Sequence, residues 1–149
     1  MFKTDEKLEQ EGIILDYGDF RVKIAHAGGS NKKFKNLLSA RLKPYERQLA
    51  IGTMDDEVAA QVIREVYADS IILNFETKKV IEVQEGEQGE PKEEWVTGVP
   101  AEDGAVLPYN RDSVCTIFKN IPRLFQDVKA QAENFSLFRA IEVAENSGN

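Results

Sequence analysis

Histidine, cysteine and tryptophan each occur once in this chain, and their scarcity removes whole classes of chemistry. A single cysteine, Cys115, rules out an intrachain disulfide and agrees with a reducing compartment. His26 and Cys115 stand 89 positions apart with no carboxylate motif around either, whereas a metal site needs clustered ligands at fixed spacing. A Ser-His-Asp triad built on Ser30 or Ser113 would have to recruit His26, and no G-x-S-x-G run supports one. Packing or solvation accounts for His26 at the end of a strand. A buried, inert thiol accounts for Cys115 near the start of a helix. No stretch approaches the ~18 consecutive apolar residues of a membrane span. The opening Met1-Phe2-Lys3-Thr4-Asp5-Glu6-Lys7 lacks the apolar segment of a secretory signal. The expectation is a soluble, cytoplasmic protein that uses no metal, no cofactor and no membrane, and is not an enzyme.

What is present is the makings of one globular domain. The 149 residues are 42% hydrophobic, enough for a core and too many for wholesale disorder. The net charge of −7 argues against nonspecific binding to nucleic acid. Charge is nevertheless uneven. From Arg21 to Arg47 there are eight basic residues and one acidic, Glu46; from Glu82 to Asp103 there are eight acidic and one basic, Lys92. Such polarity can steer a partner, order identical subunits into a homo-oligomer, or be two solvated surfaces.

Residues 1–11 are charged and aperiodic, as a mobile lead-in would be. Gly12-Ile13-Ile14-Leu15, a turn at Asp16-Tyr17-Gly18-Asp19, and Phe20-Arg21-Val22-Lys23-Ile24 predict a hairpin. Its second strand alternates apolar and cationic residues, the pattern of a sheet with one wet side. Ala27-Gly28-Gly29-Ser30-Asn31 ends the strand and supplies a cap. The next segment carries Phe34, Leu37, Leu38 and Leu42 at helical spacing, with Lys32, Lys33, Lys35, Arg41 and Lys43 on its other faces. Pro44 ends or kinks this helix, which then runs a turn or two further, toward Leu49. A second helix opens near Asp56 after a stop at Gly52. Its expected buried stripe is Val58, Val62, Ile63, Val66 and Tyr67, and it continues toward Leu73 unless Ile71-Ile72-Leu73 is a short strand. Val80-Ile81-Glu82-Val83 and Glu94-Trp95-Val96-Thr97 read as a second hairpin around an acidic tip, Gln84 to Glu93. Asn110 caps a third helix with Val114, Ile117 and Phe118. Pro122 opens a last one that buries Leu124, Phe125, Val128 and Ala132 and extends as far as Ala144.

The predicted class is therefore α+β: an N-terminal β-hairpin, about four mostly amphipathic helices, and an acidic β-hairpin or loop insert between the second and third. In domain terms this is a lead-in at 1–11, a single domain over 12–146 that contains the 78–94 insert, and a tail at 147–149. Carboxylates gather in the loop tip, where water keeps their pKa values ordinary. The Gly28-Gly29-Ser30-Asn31-Lys32-Lys33 passage has neither the P-loop nor the dinucleotide-binding spacing, and a tight turn plus a cap explains it. Trp95 reads either as a contact anchor or as a core plug for a small sheet. The candidate partner-binding residues are Trp95 and the basic helix side chains Lys32, Lys33, Lys35, Arg41 and Lys43.

In three ordered segments the sequence resembles the tail assembly chaperones of long-tailed (siphovirus-type) bacteriophages. The first is Arg21-Val22-Lys23-Ile24-Ala25-His26-Ala27-Gly28 leading into the basic helix with Phe34 and Leu37-Leu38. The second is Met54-Asp55-Asp56-Glu57 opening a helix that ends in Asp69-Ser70-Ile71-Ile72-Leu73. The third is Asp103-Gly104, then Val106-Leu107-Pro108-Tyr109-Asn110, a helix, and Ile121-Pro122-Arg123-Leu124-Phe125 with Val128. The chain departs from the pattern where a Trp follows the second helix: Phe75 holds the near position, and Trp95 comes only after the stretch Lys78 to Glu94. The resemblance implies a non-enzymatic factor in the host cytoplasm. Such a factor binds the tape measure protein, helps recruit the tail tube protein, leaves before the tail is finished, and in many cases has a frameshifted longer form. The rival expectations are a structural head–tail or tail-completion protein of the virion and a nucleic-acid-binding regulator using the basic helix.

Overall fold

A computed structural model of the chain describes residues 12–29, 31–81, 92–134 and 138. The predicted lead-in 1–11, Ser30, the acidic tip up to Pro91, Phe135, the run to Ala144 and the tail 147–149 lie outside the described residues. Strands β1 (Ile13–Asp16) and β2 (Phe20–Ile24) pair antiparallel with Leu15 opposite Val22. Their turn is closed by the Gly18 amide donating to Asp16 Oδ1 at 2.8 Å and the Tyr17 amide donating to the Phe20 carbonyl at 2.9 Å. The Tyr17 hydroxyl donates to Asp127 Oδ2 at 2.7 Å, which ties this turn to the last helix 110 residues away.

Asn31 accepts the Phe34 amide on its side chain and starts α1 (Lys32–Leu42). Pro44 then tightens the chain into a 3-10 turn (Lys43–Tyr45) ahead of the short α2 (Glu46–Ile51). Gly52, left-handed at φ 72°, ends that arm. Asp55 caps α3 (Asp56–Ser70), and Asp56 and Glu57 face the positive end of its dipole. Strand β3 (Ile72–Ile81) follows at once, then β4 (Lys92–Thr97), the short ribbon β5 (Val99–Pro100) and β6 (Val106–Leu107), and helices α4 (Arg111–Asn120) and α5 (Pro122–Glu133).

The class is α+β, with a four-stranded antiparallel sheet in the order β1-β2-β3-β4, a two-stranded sheet, and four helices of ten residues or more among the described residues. Residues paired across antiparallel strands share a face, so Val22 opposite Phe75 defines the inner one. Against it pack Tyr67 of α3, Val114, Ile117 and Phe118 of α4, and Leu124, Phe125 and Val128 of α5. Gly98 lets the β5–β6 ribbon close on this layer. A Cβ there would stand 2.3 Å from Val106 Cγ1 and 2.7 Å from the Leu107 carbonyl oxygen, so no larger residue fits unmoved.

The structure bears on four of these expectations. The second helix stops at Ser70 with Ile71 as its C-cap, and β3 begins at Ile72, the strand alternative for this run; the Ala25 amide bonds the Ile71 carbonyl at 2.8 Å. Where a second hairpin was expected, β3 and β4 pair antiparallel, with Val80 opposite Glu93. β3 is one ten-residue strand whose first half pairs with β2 and whose second half pairs with β4, so Lys78 to Ile81 prolong the central strand. Val58 is 39% exposed rather than buried, since the first turn of α3 runs past the packed layer. The last helix ends at Glu133, with Asn134 in an extended conformation.

Capping gives a quantitative check. Asn110 Oδ1 accepts the Ser113 amide at 2.8 Å at the start of α4. Asn110→Ala should cost about 1 kcal/mol and lower Tm by about 3 °C in a thermal melt followed by circular dichroism. An unchanged Tm would mean that water satisfies this end of the helix equally well.

Candidate functional site

Trp95 sits on the outer face of the sheet, directly opposite Lys78. The Arg21 guanidinium carbon lies 4.1 Å from its ring centroid and Lys78 Nζ 5.3 Å away. Arg21 Nε also donates to Glu76 Oε1 at 3.0 Å, and Lys78 pairs with Glu93 at 3.8 Å. The ring is half-buried and covered by cations that neighbouring carboxylates balance. It is neither a plug in the core nor an open aromatic platform.

The basic helix side chains divide. Lys32, Lys33, Lys35 and Lys43 are exposed. Arg41 instead turns inward, its Nη2 donating to Asp69 Oδ2 of α3, where Arg111 of α4 binds the same carboxylate through Nε at 2.9 Å and Nη2 at 2.8 Å. One carboxylate thus holds two guanidiniums and joins three helices, and the Arg41 charge is neutralised within the fold. Arg21 and Lys23, which begin the basic stretch of the sequence, lie on β2 and not beside the α1 lysines. Trp95 and the lysines therefore do not form one site.

The structure assembles a different feature. On α3, Val58, Gln61, Val62 and Glu65 follow i, i+3, i+4, i+7 spacing, and on α4 Asp112, Cys115, Thr116 and Lys119 do the same. The two stripes wall a groove of about 720 Å³ that Tyr45 and Asp55 close from the arm side. Val58, Val62, Cys115 and Tyr45 supply apolar surface. The rim carries four carboxylates, Asp55, Glu57, Glu65 and Asp112, against the one ammonium of Lys119. Arg64 Nη2 bonds Glu57 at 2.7 Å, Asp55 caps α3, and Glu65 accepts from Gln61 Nε2 at 3.2 Å and lies in the field of Arg111; among the described residues neither Glu65 nor Asp112 forms an ion pair. The arm that reaches the groove through Tyr45 also leaves Leu49 45% and Ile51 65% exposed.

Cys115 is no nucleophile here. Burial, reinforced by the Glu65 charge, pushes its thiol up to about 11, so it stays protonated at neutral pH. A second cavity of about 510 Å³ opens between Phe20, Leu107, Ile117 and Ile121, with Asp19, Glu102 and Asp103 at its edge. His26 is buried and stacks on Phe138 at 4.6 Å. Among the described residues, no three His, Cys, Asp or Glu side chains cluster as metal ligands would, and no helix is long and apolar enough to cross a membrane.

No protein-family model, curated protein or solved structure matches the chain. Sequence reasoning missed the groove because its walls are about fifty residues apart and each stripe looks like one side of an ordinary helix. The usable signal was polar residues where a purely core-facing stripe would be apolar: Gln61 and Glu65 beside Val58 and Val62.

Proposed function

We propose that this protein is a non-enzymatic phage tail assembly chaperone, acting in the host cytoplasm by binding the tape measure protein and helping to recruit tail tube subunits. The observation that carries the reading is the groove between α3 and α4, next to an arm whose Leu49 and Ile51 face solvent. Exposed apolar residues gathered at an acidic-rimmed trough suit transient cover for an amphipathic helix better than they suit a small molecule. The three ordered sequence segments supply the tail-assembly part of the reading. They fall on β2 and α1, on α3 and the start of β3, and on β6, α4 and α5.

The test is co-expression with the tape measure and tail tube proteins of the same genome. A soluble tape measure protein that co-purifies with this chain is expected. A tape measure protein that stays insoluble and unbound beside the folded chain overturns the reading. Retention in purified particles would point instead to a structural head–tail or tail-completion protein. The nucleic-acid reading keeps only the exposed Lys32, Lys33, Lys35 and Lys43, since Arg41 is paired with Asp69, and Arg21 and Lys78 are balanced by Glu76 and Glu93.

A further inference from the structure

We infer that the groove between α3 and α4 is a docking site for a basic amphipathic helix, one with an apolar stripe about two turns long and lysine or arginine on both sides of it. The inference rests on the protein-binding reading above and names the chemistry of the partner. Shape is the first argument. Two stripes at i, i+3, i+4, i+7 each advance about 10 Å along their helix, and a trough between such ridges accepts the ridge of a third helix. Val58, 39% exposed, and the half-buried Tyr45 offer the accessible apolar contact over the buried Val62 and Cys115, which suits an apolar ridge. Charge is the second argument. With Glu57 paired to Arg64, Asp55, Glu65 and Asp112 still outnumber Lys119 on the rim, so an acidic helix would bring like charges together, whereas basic flanks pair with them. Glu65 and Asp112 belong to opposite walls, so together they select a helix that is basic on both flanks.

The chemistry can be tested without knowing the natural partner. The probe is a labelled peptide of about 14 residues, long enough for four turns, with leucine on one stripe and lysine elsewhere. Its twin carries glutamate in place of lysine. By fluorescence anisotropy on the full chain, the lysine peptide should bind and the glutamate peptide should not. The double variant Glu65→Gln/Asp112→Asn should weaken binding about tenfold, the effect of two partly exposed charge pairs. Glu93→Gln/Glu94→Gln, which removes the same charge from β4, should change it by less than about twofold. Equal losses from both double variants would reduce the binding to net charge and overturn the site. So would sedimentation showing that the wild-type chain self-associates through the groove and that Glu65→Gln/Asp112→Asn releases it, since a second copy would then be the occupant. The tape measure experiment separates the two levels. If wild type fails to capture it, the functional reading falls while the peptide result stands. If wild type and Glu65→Gln/Asp112→Asn capture it equally, the groove is not the site.

Discussion

Phe75→Ala should cost about 4 kcal/mol and lower Tm by about 12 °C, whereas Trp95→Ala should cost about 1 kcal/mol or less. The contrast follows from two faces of one sheet. Phe75 is fully buried in the middle of β3, opposite Val22, with its ring 5.7 Å from that of Phe20. Neighbours fixed in a sheet and in three helices cannot collapse into the space its ring would leave, so the cavity adds to the lost transfer energy. Trp95 is larger but lies on the outer face, and its loss removes mainly the contacts with Arg21 and Lys78. Urea unfolding followed by circular dichroism, which needs no tryptophan, measures both. A larger loss from Trp95→Ala than from Phe75→Ala would make Trp95 the plug of the sheet and overturn the assignment of its two faces.

That same pair shows where the sequence was legible. Period-two alternation in Phe20-Arg21-Val22-Lys23-Ile24 marks the inner face of β2 correctly, because one side of that strand is wet. Caps at Asn31 and Asn110 and the Pro122 start are equally readable, since each is decided by side chains within three residues. Phe75 was harder to place. Ile71-Ile72-Leu73 satisfies helical and extended patterns alike, and only the pairing with β2, some fifty residues earlier, makes it a strand. The groove was hidden for a related reason, being the product of two helix faces that only the packing of α3 against α4 brings together. Arg41 was read as a surface cation because its partner, Asp69, is 28 residues away. Local chemistry was legible; long-range juxtaposition was not.

The Asp69 junction yields the second large effect. No residue from Lys32 to Ile51 is fully buried, so the α1–α2 arm is held by half-buried side chains, Leu37, Leu38, Leu42 and Phe34, whose ring meets the edge of Tyr67 at 5.5 Å. Its electrostatic hold is Arg41 on Asp69, at 26% and 19% side-chain exposure, and the Arg41 Nη1 already has no hydrogen-bond partner among the described residues. Asp69→Ala would leave Arg41 largely desolvated with no acceptor, which should cost about 2 kcal/mol. The half-exposed Arg111 adds little to that figure because solvent screens it. Amide exchange should quicken mainly over the arm, in which case the variant loosens that region before the sheet. Uniform quickening across β2 and β3 would show that the arm is integral to the core instead. Acid supplies an independent check. Burial pushes the Asp69 carboxyl up, but the hydrogen bonds and charges of Arg111 and Arg41 outweigh it and hold the group below the usual carboxylate range. A carboxyl depressed in the folded state contributes fully above its unfolded value of about 3.9, and the contribution is lost as pH falls through the lower folded value. The stability gap between wild type and Asp69→Ala should therefore stay constant from about pH 7 to 5 and narrow below about pH 4. A gap unchanged at acid pH would mean that alanine acts by lost packing and that the arm is not held by charge.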